Sequence, residues 1–550
     1  MPNVQQCKPL IRRPLPSQAF TRALDSLRQG TTSLTVLKDL LDLGAAPENM
    51  PQIATDSAIV PTCMGLLQQH CAHSSIFGEN GYGVICIRLI ALRVQVNLLE
   101  STGYTFNDDV DAGYNGPTLN LRALDYTLLH TIVAGYHYRR PEDPPDLFRT
   151  SVGLVHAPPV LNADQAGRLF DYLYRERVLF LRANVSGTLD WAGWPFLFHA
   201  LWERLMFQNG NKTTRLGLKF LDICYRFLVI KPGGAVVLEQ LIATTQSSMS
   251  QAHAVLLPVN LSDRDEITKA YINVRFTDED SDAPTMALTH SLFTWVVRSL
   301  DTTRANQVVD FMTTSCDRLW VVLEDTKKYD RVVCINVTHG MSFATDLLLY
   351  FQAFLEGGVK FSTDLTELFR HNLLEGDIFG LVARLLMMPL LSKELETFSD
   401  ADKKAVNYIS GVFFKAMGRL ASSMSRHSGP DLNFFKPLLP DWFKASQQLD
   451  EAIYEYSTSA FTRDYLTACR QEWEDFGSFI FAGYQNFLFD TGCSNPRCPL
   501  PLTSIGGMYM CGQCLSPLYC SYRCQNLHWY GAEAIEPHAS VCKLNSYMFA

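Results

Sequence analysis

The sequence predicts a mainly α protein, with a long body of packed helices followed by a small C-terminal module organised by cysteines. Three observations predict it. Through residues 1–490 apolar side chains recur three and four positions apart, in segments punctuated by Pro, Gly and Asp. The composition is globular, 47% hydrophobic and 19% charged, over 550 residues, which is too long for one core and sets an expectation of two to four domains. Of the 15 cysteines, eight are scattered singly from Cys7 to Cys469 and seven crowd between Cys493 and Cys542.

The helical segments follow in order. In TTSLTVLKDLLDLG, Leu34, Leu37 and Leu41 share a face, and Gly44 is the expected stop. In TRLGLKFLDICYRFLVIKPGG, Leu216, Phe220, Ile223, Phe227 and Ile230 keep a 4-3-4-3 rhythm that Lys231-Pro232-Gly233-Gly234 ends. In FSTDLTELFRHNLLEGDIFGLVARLLMMPLL, Asp364 and Glu367 suggest a cap and Gly376-Asp377 a break between two helices. Helices this short and this broadly apolar need neighbours to cover them, which suits an irregular, armadillo-like α-α superhelix. No fixed repeat period emerges. A β-branched run such as RVVCINVT reads as a possible strand.

Three breaks divide the chain. RRPEDPPDLF with the following HAPP, and the acidic FTDEDSDAPT, suggest sub-boundaries near 141–160 and 276–285 within a helical body spanning 1–425. SRHSGPDLNFFKPLLPDW marks the end of that body. Residues 426–490 then read as linker and one or two helices, and 491–545 as the cysteine module.

The formal charge is −9, and no run of Lys and Arg offers phosphate a basic face, so neither nucleic acid nor an anionic membrane is the expected partner. YGVICIRLIALRVQVNLLE, the most apolar stretch, is broken by Arg88 and Arg93 and does not read as a membrane span. The N-terminus has no apolar signal region. The expected location is intracellular, nucleus or cytoplasm unspecified, and the sequons at Asn184, Asn211, Asn260 and Asn336 are then chance matches. In a reducing compartment, clustered cysteines favour metal over disulfides, and the scattered eight read as small buried apolar residues.

The cluster runs Cys493-x4-Cys498, Cys511-x2-Cys514, Cys520-x3-Cys524 and His538-x3-Cys542. Seven thiols and one imidazole are eight ligands, enough for two tetrahedral zinc ions, and pairs this close let one turn aim both donors at one ion. Spacing alone leaves the pairing open, because sequential and alternating arrangements count alike.

The residues between the ligands resemble the MYND-type zinc finger. Cys511-Gly-Gln-Cys514, Tyr519-Cys520-Ser-Tyr-Arg-Cys524-Gln525, Trp529 and His538-Ala-Ser-Val-Cys542 follow its C-x2-C, Y-C-x3-C-Q, W and H-x3-C pattern over about a tenth of the chain. The resemblance implies alternating pairs: Cys493, Cys498, Cys520 and Cys524 on one ion, and Cys511, Cys514, His538 and Cys542 on the other. It also implies a groove at Gln525 and Trp529 for proline-rich, often Pro-x-Leu-x-Pro-like, peptides. An indole face suits a preordered proline segment, and the amide can bond its backbone. The arrangement as a whole is similar to fungal-style MYND proteins, which carry the finger after a long helical body. Two departures stand out. The first cysteine pair is spaced by four, and YGAEAIEP separates Trp529 from His538 where the family has about two residues. His528 is the fallback ligand.

With all eight positions filled by protein, both sites are closed and structural rather than catalytic. Two enzyme readings are weaker. A SET-type methyltransferase would need an Asn-His-x-Cys motif that is not found. A serine hydrolase would have to use Gly340-Met341-Ser342-Phe343-Ala344 with His339 as its elbow, one glycine short of the pattern and better read as a loop with a helix cap. The finger is about neutral, with Arg497, Arg523, Glu533 and Glu536 its charged residues, which also argues against nucleic acid. The expectation is a non-enzymatic, zinc-binding scaffold or adaptor with a proline-containing protein partner.

Overall fold

A computed structural model of the chain describes most of 17–101, 160–248 and 263–356, then 378–387, 399–427 and parts of 442–480. Near the C-terminus it describes 493–495, 509–511, 518–519, 522–530 and 537–542. The described residues are mainly helical. The expectations placed on RRPEDPPDLF, FTDEDSDAPT, Asp364 with Glu367, Gly376-Asp377 and Lys231–Gly234 lie outside them, save that Thr285 caps a helix (below). The chain divides into two compact units, Met1–Ala270 with Thr277–Pro284, and Tyr271–Phe276 with Thr285–Ala550.

The first unit contains α1 (Gln18–Arg28), α2 (Leu34–Gly44), α3 (Met50–Thr55), α4 (Ile59–Cys71) and α5 (Tyr82–Ser101). There follow α6 (Ala163–Arg175), α7 (Arg177–Val185), α8 (Trp194–Trp202), a π-helical turn (Glu203–Phe207), α9 (Thr214–Leu228) and α10 (Ala235–Ser248), then α11 (Arg264–Asn273), whose residues from Tyr271 belong to the second unit. Its core is built around α5, which packs against α2, α3, α4 and α8. The sequence of α5 explains why. Cys86, Ile87, Leu89, Ile90, Leu92, Val94 and Val96 are all buried, and the half-buried Arg88, Arg93 and Asn97 interrupt the apolar surface. A helix with so broad an apolar surface needs neighbours on several sides. Among the described residues no helix is long and apolar enough to cross a membrane, so the apolarity of α5 is that of a core helix.

Local chemistry sets the helix ends. Ser17 accepts from the Phe20 amide at the start of α1. Asn162 and Gln165 form a reciprocal capping box at α6, with bonds of 2.8 and 3.0 Å. Gly44 is the last residue of α2 and not a left-handed stop. Its missing Cβ would lie 3.0 Å from Leu92 Cδ2, so glycine there serves close packing on α5. Gly193 does need its freedom: it precedes α8 at φ 89°, and a Cβ would lie 2.5 Å from Gln95 Oε1. Within α8, His199 is buried among aromatic and aliphatic neighbours, and burial pushes its pKa down to about 4.

The second unit contains α12 (Met286–Val296), α13 (Ala305–Asp325), α14 (Val333–Glu356), α15 (Ile378–Met387), α16 (Asp400–His427) and α17 (Ala460–Ile480). Thr285 caps α12 through the Leu288 amide. Here α14 plays the part of α5, packing against α12, α13, α15 and α16. This corrects one expectation. The run VCINVT opens α14 and is helix, not strand. The strand preference of β-branched residues is about a kcal/mol at most, and the packing of α14 as a whole against four helices overrides it.

Trp442 and Trp473 lock the end of this unit. Each indole N–H donates to the other residue's carbonyl, at 3.2 and 3.1 Å. Gly477, one turn after Trp473 on α17, lies flush against the Trp442 ring, and a Cβ there would overlap it. The indole is buried and held by hydrogen bonds, so it has nowhere to move. Gly477→Ala is expected to cost about 1–3 kcal/mol by overpacking, read as a lowered midpoint in urea unfolding. A variant as stable as the parent would show that the Trp442 ring is free to shift.

The scattered cysteines Cys63, Cys86, Cys224, Cys316 and Cys469 are thiols buried in the core and not joined in disulfides. Burial pushes Cys224 well up and Cys469 up to about 12. Thiols of that kind are inert packing groups.

Candidate metal centre

The C-terminal module is held by four small elements. Strands β1 (Tyr509–Met510) and β2 (Leu518–Tyr519) pair antiparallel, Tyr509 opposite Tyr519 and Met510 opposite Leu518. Helices α18 (Tyr522–Tyr530) and α19 (His538–Val541) follow. Three of them, β1, α18 and α19, set predicted ligands. Cys511 directly follows β1, and Cys524 lies in the first turn of α18 with its side chain buried. His538 opens α19, and Cys542 closes it by donating its backbone N–H to the His538 carbonyl at 2.8 Å. Pro537 fixes the approach to α19, and Ser540 donates its hydroxyl to the Pro537 carbonyl at 2.7 Å. One helical turn separates residues i and i+4, so the H-x3-C spacing puts imidazole and thiol on one side.

The chain folds back so that Cys511 joins them. The ligand atoms of Cys511, His538 and Cys542 all lie within 4.8 Å of one another. Cys511 and His538 are buried and Cys542 is half-buried. The two sulfurs are 3.6 Å apart, far beyond the roughly 2.05 Å of a disulfide. A tetrahedron with Zn–S bonds of about 2.3 Å has an edge of about 3.8 Å, so the spacing fits two thiolates on one ion. Two sulfurs and an imidazole are also the donor types zinc takes. Burial lowers the His538 pKa, and the neighbouring His528 lowers it further, which favours the neutral ring that binds metal.

Cys493 and Cys524 meet elsewhere. Tyr519 and Cys524 form a small buried cluster, and Cys493 and Tyr509 pack against it. The alternating arrangement would likewise put Cys511 with His538 and Cys542, and Cys493 with Cys524. A sequential arrangement would instead put Cys524 with His538 and Cys542, and Cys493 with Cys511. Cys498, Cys514 and Cys520 lie outside the described residues.

His528, the fallback ligand, is not in the group of three. Its Nδ1 is 3.0 Å from the Tyr519 hydroxyl, and burial lowers its pKa. Its ring centroid is 5.6 Å from that of His538. Tyr519 was not singled out as a functional residue from the sequence, although its place beside Cys520 in the Y-C-x3-C-Q pattern was a signal. Trp529 is half-buried, with its ring edge-on to His538 at 5.6 Å, and Gln525 is half-buried on the same helix. Trp529 therefore covers His538 with part of its surface and leaves part accessible.

No family model, no curated protein and no solved structure matches the chain. The likeness to MYND fingers rests on the quoted residues.

The serine-hydrolase alternative meets a different geometry. Gly340–Ala344 lies inside α14, neither at an elbow nor in a capped loop. Ser342 donates its hydroxyl to the Thr338 carbonyl, one turn back, at 2.8 Å. Gly340 there receives the Leu385 side chain of α15, which would lie 3.1 Å from a Cβ. His339 lies near His290, ring centroids 6.2 Å apart, and His290 pairs with Asp346 at 2.9 Å.

Proposed function

We propose that the chain is a zinc-binding, non-enzymatic scaffold or adaptor whose C-terminal finger recruits a partner through a proline-containing peptide. The observation that carries this reading is the convergence of Cys511, His538 and Cys542 within 4.8 Å. With Cys514 as fourth donor, such a site is closed, and a closed zinc holds structure and leaves no position for a reacting water. Cys493, Cys498, Cys520 and Cys524 are the proposed ligands of a second ion.

What that structure would present is the outer face of α18. Tyr522, Gln525 and Trp529 recur at i, i+3 and i+7, with Tyr530 beside them, on the side of the helix away from Cys524. Tyr522 is 61% exposed and Tyr530 77%. Of the five exposed large apolar side chains among the described residues, three (Tyr522, Leu527 and Tyr530) belong to this one short helix. Aromatic faces beside an amide suit a polyproline segment, whose conformation is already fixed and costs little entropy to bind. The near-neutral charge of the module favours such a ligand over a phosphate backbone.

A labelled Pro-x-Leu-x-Pro peptide titrated into the full chain tests this. Trp529→Ala, checked to retain the parent's zinc content, is expected to weaken binding at least tenfold, as loss of an interfacial aromatic anchor does. Equal affinity in the two proteins, or no binding by the parent, would make the finger a structural terminus and move the search for a partner surface to the helical body.

A further inference from the structure

One contact in the module belongs to neither group of thiols and touches both. Tyr519 is fully buried in the cluster that holds Cys524, with Cys493 packed against it. Its hydroxyl reaches out of that cluster to His528 Nδ1, at 3.0 Å, with the two rings edge to face. His528 lies one turn after Cys524 on α18, so it projects from the same side of the helix. Its ring is tilted by 36° against that of His538, at 5.6 Å between centroids. His538 in turn has Trp529 edge-on at the same separation.

The consequence is an orientation held at second hand. An imidazole binds metal only when its ring turns one nitrogen to the ion, and such rings are commonly fixed by groups that do not touch the metal. His538 starts a helix of only four residues, too short to fix a side chain unaided. His528, tilted against its ring, and Trp529, edge-on to it, both contribute to holding that ring. The orientation of His528 depends on the Tyr519 hydroxyl.

We propose that Tyr519 is a positioning residue for the Cys511, His538 and Cys542 metal site, acting through His528, and that it ties this site to the Cys493 and Cys524 cluster. The inference rests on the metal reading given above. It gives Tyr519 two jobs: the ring fills the core of one cluster, and the hydroxyl aligns a ligand of the other. Loading of one site then prepares the second.

Cobalt(II) titration of the metal-free full chain separates these roles. The two proposed donor sets differ, four sulfurs against three sulfurs and a nitrogen, and the visible absorption of tetrahedral cobalt shifts to shorter wavelength when nitrogen replaces sulfur. Tyr519→Phe keeps the ring and removes only the hydroxyl. It is expected to take one cobalt into the four-sulfur site with parent affinity, and to bind the second about 10–100-fold more weakly. His528→Ala, which leaves Tyr519 intact, should show the same site-selective loss, with parental circular dichroism confirming the fold. Two ions bound by Tyr519→Phe with parent affinities and spectrum would overturn the inference and leave the metal reading standing. Equal weakening at both sites would make Tyr519 a general core residue and would also overturn it. Absence of cobalt–thiolate absorption from the parent chain would overturn the metal reading, and this inference with it.

Discussion

Removal of metal from the full chain is expected to unfold residues 493–542 while leaving the helical body folded. The buried side chains described in the module are few: Asn495, Cys511, Tyr519, Cys524 and His538. Its two strands have two residues each. Those described contacts offset little of the ~1–2 kcal/mol per residue lost on ordering the backbone. Zinc bound by such ligand sets contributes about 10–16 kcal/mol at neutral pH, and in small modules that binding is the folding energy. The helical body stands on a different footing, with α5 and α14 each buried by four neighbouring helices. Limited proteolysis with and without a strong chelator reads the difference. New cleavage should be confined to the C-terminal segment, the helical circular dichroism should change little, and added zinc should restore protection. A segment that stays protected without metal would show that its apolar contacts suffice.

Loss of Arg226 is expected to be the most damaging single change in the first unit. Its guanidinium is 1% exposed, donating from Nε to Asp222 at 3.2 Å and from Nη1 to the fully buried Asp263. Asp222 also meets Arg177 Nε at 3.3 Å, so two arginines and two aspartates from α7, α9 and the residue before α11 form one chain of charge. Asp263 immediately precedes α11, and its Oδ1 is buried with no hydrogen-bond partner among the described residues, so Arg226 is the group that compensates its charge. Arg226→Met preserves much of the side-chain volume and leaves Asp263 buried without its cation, which costs about 3–5 kcal/mol in pairs of this kind. The surface pair Arg182 and Glu266, 2.7 Å apart with Arg182 half exposed, is the control. Arg182→Met should cost about 0–1 kcal/mol, because water screens an exposed pair. Urea unfolding of both variants checks the contrast, and an Arg226→Met chain as stable as Arg182→Met would contradict the network's role.

How much of this was legible in the sequence depends on how local the cause is. The class of the body was legible because periodicity is local, as α2 and α9 show, with Leu37, Leu41, Phe220, Ile223 and Phe227 all buried. The central helices were harder, since a helix covered on every side loses the stripe that announces it, and α14 was partly misread for that reason. Gly44 looked like a stop, but its reason is Leu92, nearly fifty positions away. The capping box of Asn162 and Gln165 is a local signal that its four residues carry by themselves. In the module, donor types and the i, i+4 pairing of His538 with Cys542 follow from short spacing. The approach of Cys511, and the bond from Tyr519 to His528, depend on how β1, β2 and α18 fold together, which no spacing rule encodes.

The central claim, that the clustered thiols hold zinc, is tested most directly by the metal content of the purified full chain and of its Cys542→Ser variant, measured by elemental mass spectrometry against protein concentration. Two zinc ions per parent chain and about one per variant chain are expected, the remaining ion belonging to the four-cysteine site. A parent chain free of zinc, or a variant that keeps both ions, would contradict it.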